Sequence, residues 1–434
     1  MDFSFSFVGA LIIFIIVYGL IVFRNIRGVN IPIWASMCAG AISVLALSIV
    51  KISDAFSAIN FDVMFFLFGM FVLVSGLESS GTLHRVTNRI LSYAKTPKQI
   101  VFLILVVMGL LSAFLINDTV ALVATPIVLG LAKTMNMRPA PLLISLAFGI
   151  TIGSMMTPMG NPQNLLIALH SDMRFPLLSF LGYLFLPTIV CLIATYCIVT
   201  QYYKKEICGV IMPNSISDQR VTIDDDLAKK SSVLLICTVV GFFAIGIVKL
   251  FGVSTEINFS HIALFGGIAL LAISKKKKEV IRGVNWQILA FFAAMFVFVQ
   301  GLLDGGVIAL FETLLPLNAS PDSPTSTISI IGVSVIMSQA VSNVPFVAIY
   351  LPILQNYGFT SADVIVWIAF AAGSTLAGNL TILGAASNVI ILEAAERRKE
   401  PSFTFKEFFR IGSVVTAANV LILIVFILIY SIIW

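Results

Sequence analysis

Two stretches decide the fold: TPMGNPQN, residues 157–164, and TILGAASN, residues 381–388. Each sets a threonine, a glycine and an asparagine at the same offsets inside otherwise apolar sequence: Thr157, Gly160 and Asn164, then Thr381, Gly384 and Asn388. Upstream of each runs a hairpin-like segment with an asparagine at its turn, Asn117 in INDTVALVATP and Asn343 in VSNVPFVAIYLP. Each asparagine stands nine residues before a proline, Pro126 and Pro352. Matching interruptions in two hydrophobic halves point to a solute site at the middle of a membrane. The expectation is a duplicated membrane transporter.

Composition agrees. With 59% hydrophobic and 11% charged residues in a chain of 434, an ordinary soluble domain is excluded. Apolar runs at 7–23, 33–50, 177–200, 232–250 and 411–434 approach or reach the roughly 20 residues a helix needs to cross a bilayer. A barrel would instead alternate over about ten residues, so the fold class expected is all-α and polytopic. The net charge of +5 sits in short loops between spans and does not indicate nucleic acid. Cys38, Cys191, Cys197, Cys208 and Cys237 lack metal-ligand spacing and read as packing residues. The amino terminus lacks the pattern of a cleaved signal, so the first apolar run is expected to be retained.

Sliding the chain on itself by about 225 residues also lays the segment ending at Gly81 over that ending at Gly306, with Asn60 on Asn285 and Gly76 on Gly301. The halves are read as 1–203 and 228–434, joined by a cytoplasmic linker at 204–227 that carries Asp224, Asp225 and Asp226. Each half is expected to hold five crossings plus a re-entrant hairpin (about 100–132 and 328–356), one crossing being a broken helix (about 141–169 and 363–396). The return leg from Val120 to Leu131 is short, which favours re-entry over two crossings. An odd number of crossings makes the two halves insert in opposite senses, an inverted repeat.

Charge placement sets the orientation. With both termini outside, every Lys and Arg except Lys51, Arg174 and Lys249 falls in an inner loop. The inner set includes Arg24, Arg27, Arg138, Arg220, Lys399 and the run Lys275 to Lys278, the last a topology anchor that suits acidic lipid. The membrane expected is the plasma membrane.

Irregular backbone survives at membrane depth only inside protein or beside a wet cavity. Thr157, Gly160 and the Asn161-Pro162 pair break the first helix, and Gly378, Asn379 and Gly384 break the second more mildly. Freed carbonyls, hydroxyls and amide oxygens suit a hard cation, while half-helix amino ends suit an anion.

These paired segments resemble the ion transporter superfamily of arsenite-efflux permeases, NhaD-type sodium/proton antiporters, citrate-transporter-like permeases and sodium-coupled divalent-anion symporters. The tips that match are Asn117-Asp118-Thr119 and Ser342-Asn343-Val344-Pro345, and the unwound helices are those of Thr157, Gly160, Asn164 and Thr381, Gly384, Asn388. The resemblance covers nearly the whole chain. It implies two pseudo-symmetric cation positions with a substrate between the tips. Asp118 in the first tip and Val344-Pro345 in the second depart from the hydroxyl-bearing pattern of the dicarboxylate symporters and lean toward the arsenite-permease and antiporter side.

The substrate-binding set is therefore Asn117, Thr119, Ser342 and Asn343 from the tips, with Asn161 and Ser387 beside the breaks. The ion-binding or coupling set is Asp118, Thr157, Gly160, Asn164, Gly378, Asn379, Thr381, Gly384 and Asn388. For Asn161, Gln163 and Ser387, contact with solute and satisfaction of backbone groups are both open readings. An ionisable group at mid-membrane costs at least about 2.5 kcal/mol and usually serves an ion path, so Asp118 is the sharpest candidate; its plainer role is a helix cap. Asp62, Asp54, Asp304 and Asp363 fall at span ends, and His84, His170 and His261 lack metal spacing.

The function expected is ion-coupled secondary transport of an anion or oxyanion by alternating access, with Na+ or H+ as coupling ion and no cofactor. The alternative is a sodium/proton antiporter using Asp118; a passive channel ranks behind it. No Walker A, HExxH or Ser-His pattern supports an enzyme. The partners are the lipid bilayer and a small anion, with a homodimer and a separate ATPase compatible with the chain, and no nucleic acid.

Overall fold

The computed structural model describes residues 5–22, 25–26, 29–208, 223–251, 257–314, 324–398, 400 and 402–433. Arg24, Arg27, Arg220 and Lys399, and most of the linker, lie outside the described residues.

The first half runs α1 (Phe5–Val22), α2 (Ile33–Ala46), the short α3 (Ile52–Ala58), α4 (Phe61–Ser79), α5 (Thr82–Leu91), α6 (Pro97–Leu103), a π-turn (Ile104–Met108), α7 (Gly109–Leu115), α8 (Asn117–Thr134), α9 (Ala140–Ser154), α10 (Pro162–His170), α11 (Pro176–Tyr202) and α12 (Lys204–Cys208). The second runs α13 (Asp225–Leu250), α14 (Phe259–Ile273), α15 (Lys277–Gly283), α16 (Trp286–Asp304), α17 (Val307–Leu314), α18 (Pro324–Val341), α19 (Asn343–Asn356), α20 (Val364–Leu376), two 3-10 turns (Ala377–Asn379 and Ile382–Gly384), α21 (Ala386–Arg397) and α22 (Phe405–Ile433). The element order repeats, down to the short helix before the third long one. A two-residue ladder, Asn25–Ile26 on Val29–Asn30, is the β structure among the described residues. Among the described residues six helices are long and apolar enough to cross a membrane: Phe61–Ser79, Pro97–Leu115, Pro176–Tyr202, Asp225–Lys249, Trp286–Asp304 and Phe405–Ile432.

Local chemistry repeats too. Asn60 caps α4 by accepting the Val63 N–H at 3.0 Å, and Asn285 caps α16 by accepting that of Ile288 at 3.2 Å. Gly81 and Gly306 end these stretches with φ of 77° and 73°. The halves interlock: α4 packs on α14 and α2 on α16, while α11 meets α22. At that last contact the Asn419 amide donates to Thr195 Oγ1 at 3.2 Å, a pair 224 residues apart. The break motifs have the same separation.

Several boundaries shift. The aspartate run opens the second half rather than closing a linker: Asp224 caps α13 by accepting the Leu227 N–H at 3.0 Å. The return leg α8 is an 18-residue helix that continues through Pro126, about 27 Å long at 1.5 Å per residue. Leg length therefore does not separate a re-entrant hairpin from two crossings. The turn's position is the informative feature, as it meets the middle of the broken helix.

Loops assigned to the inner face lie together. Arg138 after α8 pairs with Glu206 on α12 at 3.1 Å and with Glu407 on α22. Lys276 after α14 pairs with Asp224 at 3.2 Å, and the Asp224 N–H reaches the Ser80 carbonyl after α4 at 3.2 Å. Hydrogen bonding to Leu227 and Lys276 holds the Asp224 carboxyl below the usual carboxylate range.

Candidate functional site: two hairpin turns on two broken helices

Each hairpin turns on one residue with positive φ, Ile116 at 64° and Ser342 at 67°. For a β-branched isoleucine this is a strained conformation, and such strain persists where surrounding structure fixes it. The strain puts the next residue, an asparagine in both cases, at the start of the return helix.

In the first half the Asn117 N–H donates to the Gly160 carbonyl at 2.9 Å, and Asn117 Oδ1 accepts the Asp118 N–H at 2.9 Å. Asn117 and Asp118 are buried, and Thr119 is half-buried with its N–H on the Ile116 carbonyl. Among the described residues the Asp118 carboxyl makes no ion pair. Its helix packs on α9 and α21.

The first break holds α9 and α10 together by side-chain amides. Asn161 caps α10 by accepting the Asn164 N–H at 2.9 Å, and its amide donates to Ser154 Oγ at 3.0 Å and Thr375 Oγ1 at 3.1 Å. The backbone role of Asn161 is thus established. Asn164 donates to the carbonyls of Ser154 and Thr157, both at 3.1 Å, and its Oδ1 accepts from Thr375 Oγ1 at 3.0 Å. Thr157 Oγ1 donates to the Ala113 carbonyl on the inbound leg. Gly160 lies so close to Ser154 that a Cβ there would stand 2.3 Å from the Ser154 carbonyl oxygen.

The second break repeats this scheme. Asn388 donates to the Gly378 carbonyl at 2.7 Å and the Thr381 carbonyl at 3.3 Å. Thr381 Oγ1 donates to Gln339 Oε1 at 2.8 Å, and the Gln339 amide donates to the Ala377 carbonyl at 2.8 Å. Gln339 stands in the inbound leg where Ala113 stands in the first. The Gly384 N–H closes a turn on the Thr381 carbonyl at 3.0 Å. The second hairpin turn arrives at Gly378: Asn343 Nδ2 lies 3.5 Å from the position a Cβ on Gly378 would take, and Thr151 Cγ2 lies 3.1 Å from it. Ser342 is half-buried and opens α19 without a side-chain cap.

The buried polar atoms without a hydrogen-bond partner among the described residues include Thr151 Oγ1, Asn343 Oδ1, both amide atoms of Asn379, Ser387 Oγ and Asn388 Oδ1. Burying such groups unpaired costs about 1–3 kcal/mol each, and this cluster stands at the second break. Among the described residues no three His, Cys, Asp or Glu side chains gather to hold a transition metal.

Thr151, Thr375, Ser154 and Gln339 were missed in the sequence. Thr151 and Thr375 carry the same repeat spacing as the break motifs, so aligning the halves position by position would have found them. Three other polar residues lie away from the breaks. Asp62 accepts from Ser260 Oγ, His170 shares a hydrogen bond with Asn60 at 3.2 Å, and Glu393 pairs with Arg397 at 3.8 Å. A cavity of about 530 Å³, lined by Asp62, Arg174 and Lys249 among others, also lies apart from the breaks.

The chain matches the CitMHS family model, described as citrate transporter, over residues 10–373, which takes in the whole first break and ends ahead of the second. It is 27% identical over 427 residues to a 46 kDa membrane protein of Mycobacterium leprae, covering 95% of this chain and 96% of that one. It is 25% identical over 431 residues to the silicon efflux transporter LSI3 of Oryza sativa, covering 87% and 88%. The solved structure of Neisseria gonorrhoeae MtrF, an antimetabolite efflux pump, matches with a TM-score of 0.57 at 13% identity, over 98% of this chain and 95% of that one. Apolar helices, paired breaks and the match across most of the chain agree: this multi-pass membrane protein belongs to the citrate transporter (CitMHS) family and is a transporter, not an enzyme.

Proposed function

We propose that the chain is a secondary active carrier of a small anion or oxyanion, coupled to Na+ or H+, that works by alternating access. The observation that carries this reading is the cluster of buried, unpaired amide and hydroxyl groups where the second hairpin turn meets the second break. These groups ask for a bound solute, and irregular backbone beside them offers carbonyls and N–H groups to ions of either sign. A family named for citrate and a relative named for silicon efflux support a small oxygen-rich solute, with arsenite in the same class.

The hairpins and broken helices form the moving unit and the remaining spans its frame. The halves insert in opposite senses in the plasma membrane with both termini outside, an orientation supported by the charge bias and the grouping of the Arg138 and Lys276 clusters. A potential of about 100 mV supplies roughly 2.3 kcal/mol per coupled charge.

Burial of Asp118 without an ion pair favours a second reading, sodium/proton antiport at that carboxyl. Flux in proteoliposomes with imposed sodium or proton gradients separates the two. The panel is citrate, succinate, phosphate, sulfate and arsenite, with a pH dye inside. Gradient-driven movement of one anion, lost in Asn343→Ala, supports the carrier. A sodium-dependent pH change that needs no anion makes the protein an antiporter.

A further inference from the structure

The two halves repeat their elements but not their charge. Between Ser79 and Asn117 the chain carries four bases, Arg85, Arg89, Lys95 and Lys98, and no acid. The matching stretch of the second half, from Gly305 to Ser342, carries Glu312 and Asp322 and no base. A signal for topology requires only that bases stand in a short loop. Here they are set on a folded face.

α5 is amphipathic. Leu83 and Thr87, one turn apart, are buried, while Arg85 and Arg89 stand exposed on the other side with Val86 beside them. The turn into α6 continues that face. Thr96 caps α6 by accepting the Gln99 N–H at 3.2 Å, and Gln99 Oε1 accepts the Lys95 N–H at 2.7 Å. The turn fixed in this way leaves Tyr93, Lys95 and Lys98 exposed, Tyr93 by 68%. Among the described residues none of the four cations makes an ion pair. Cations set beside an exposed valine and tyrosine match the level of a bilayer where phosphates meet acyl chains. A free anion would not call for the apolar part of that face.

We propose that α5 and the turn into α6 form a docking surface for anionic phospholipid headgroups of the inner leaflet. The leaflet follows from the orientation proposed above; the docking does not depend on which solute is carried. The surface bears directly on the first hairpin. α5 packs on α8, the return leg, and on α6, which opens the inbound leg, so headgroups bound there hold both legs. α15 supplies a comparison at the same end of α4, where Ser75 Oγ donates to the Val280 carbonyl at 2.7 Å. Its Lys277 and Lys278 are also exposed, but it packs on α4 and α14.

The test uses the purified full chain in nanodiscs of phosphatidylcholine, with and without phosphatidylglycerol. Hydrogen exchange is followed over residues 82–134, beside titration of a fluorescent phosphatidylglycerol. In the native chain phosphatidylglycerol is expected to slow exchange in α5 and α8 by about fivefold or more. Arg85→Gln with Arg89→Gln weakens its binding by about tenfold or more, since each cation near an anionic surface is worth about fivefold. Arg85→Lys with Arg89→Lys retains binding, and Lys277→Gln with Lys278→Gln leaves it within about twofold. No protection of α5 in the native chain, an equal loss in the α15 variant, or the same protection from inorganic phosphate in pure phosphatidylcholine each overturn the proposal. Exchange is read on the native chain, so the outcome stands even where a variant does not fold. Protection by phosphatidylglycerol in a chain that moves no anion would support the docking surface and remove the carrier reading alone.

Discussion

The Asn117 N–H donates to the carbonyl of Gly160 at 2.9 Å, which ties the turn of the first hairpin to the middle of the first broken helix. A shift of that turn breaks this bond unless the break moves with it. Gly160 permits this approach because Ser154 occupies the space a side chain would need.

Gly160→Ala is accordingly expected to cost about 1–3 kcal/mol of stability and to abolish flux. Gly384→Ala is expected to be milder, since its Cβ would stand 2.8 Å from the Ala377 carbonyl oxygen rather than 2.3 Å from that of Ser154. Thermal unfolding of both variants beside flux in proteoliposomes checks the order.

Asp118 is buried in the first turn of α8 with no ion pair among the described residues. If its carboxyl carries the coupled proton, Asp118→Asn keeps the fold and removes the pH dependence of transport. Flux profiles of both proteins between about pH 5.5 and 8.5 decide it, spanning the range where proton coupling acts. An unchanged profile removes Asp118 from the coupling path.

Backbone contact sets the tolerance of the helix crossings. A Cβ on Gly153 would lie 2.1 Å from the Gly109 carbonyl oxygen, where the inbound leg crosses α9, whereas Gly182 in α11 has nothing within 4 Å. Gly153→Ala is expected to lower the unfolding temperature strongly. Gly182→Ala is expected to raise it slightly, by the roughly 0.5–1 kcal/mol that alanine gains over glycine in a helix.

The Asp224 cap predicts a pH effect with a definite sign. Its folded carboxyl ionises below the usual range because the Leu227 N–H and Lys276 hold the anion. Its contribution is complete above the unfolded value of about 3.9 and fades as pH falls through the lower folded value. The difference in melting temperature between native chain and Asp224→Ala should therefore be constant near neutrality and shrink below about pH 4. Salt should reduce the part due to Lys276.

The sequence by itself determined the membrane class, the two halves and the places where helices break. Those are set by constraints along the chain: hydrocarbon demands long apolar runs, Asn161-Pro162 interrupts a regular helix, and Gly378 and Gly384 weaken one. It also showed Asn117 and Asn343 at the hairpin turns. Other features depended on neighbours far away in the chain. Pro126 does not end α8, because packing on α9 and α21 holds the helix through the lost hydrogen bond. Asn161 is a cap and a cross-link, since Thr375, 214 residues on, lies within reach of its amide. Only the tertiary structure decided which oxygens stay unpaired. Thr151 and Thr375 hold matching positions in the sequence, yet one hydroxyl finds an asparagine and the other does not. Hydrogen bonds form or fail over tenths of an ångström, and that spacing is set by how the halves pack, not by the order of residues within either.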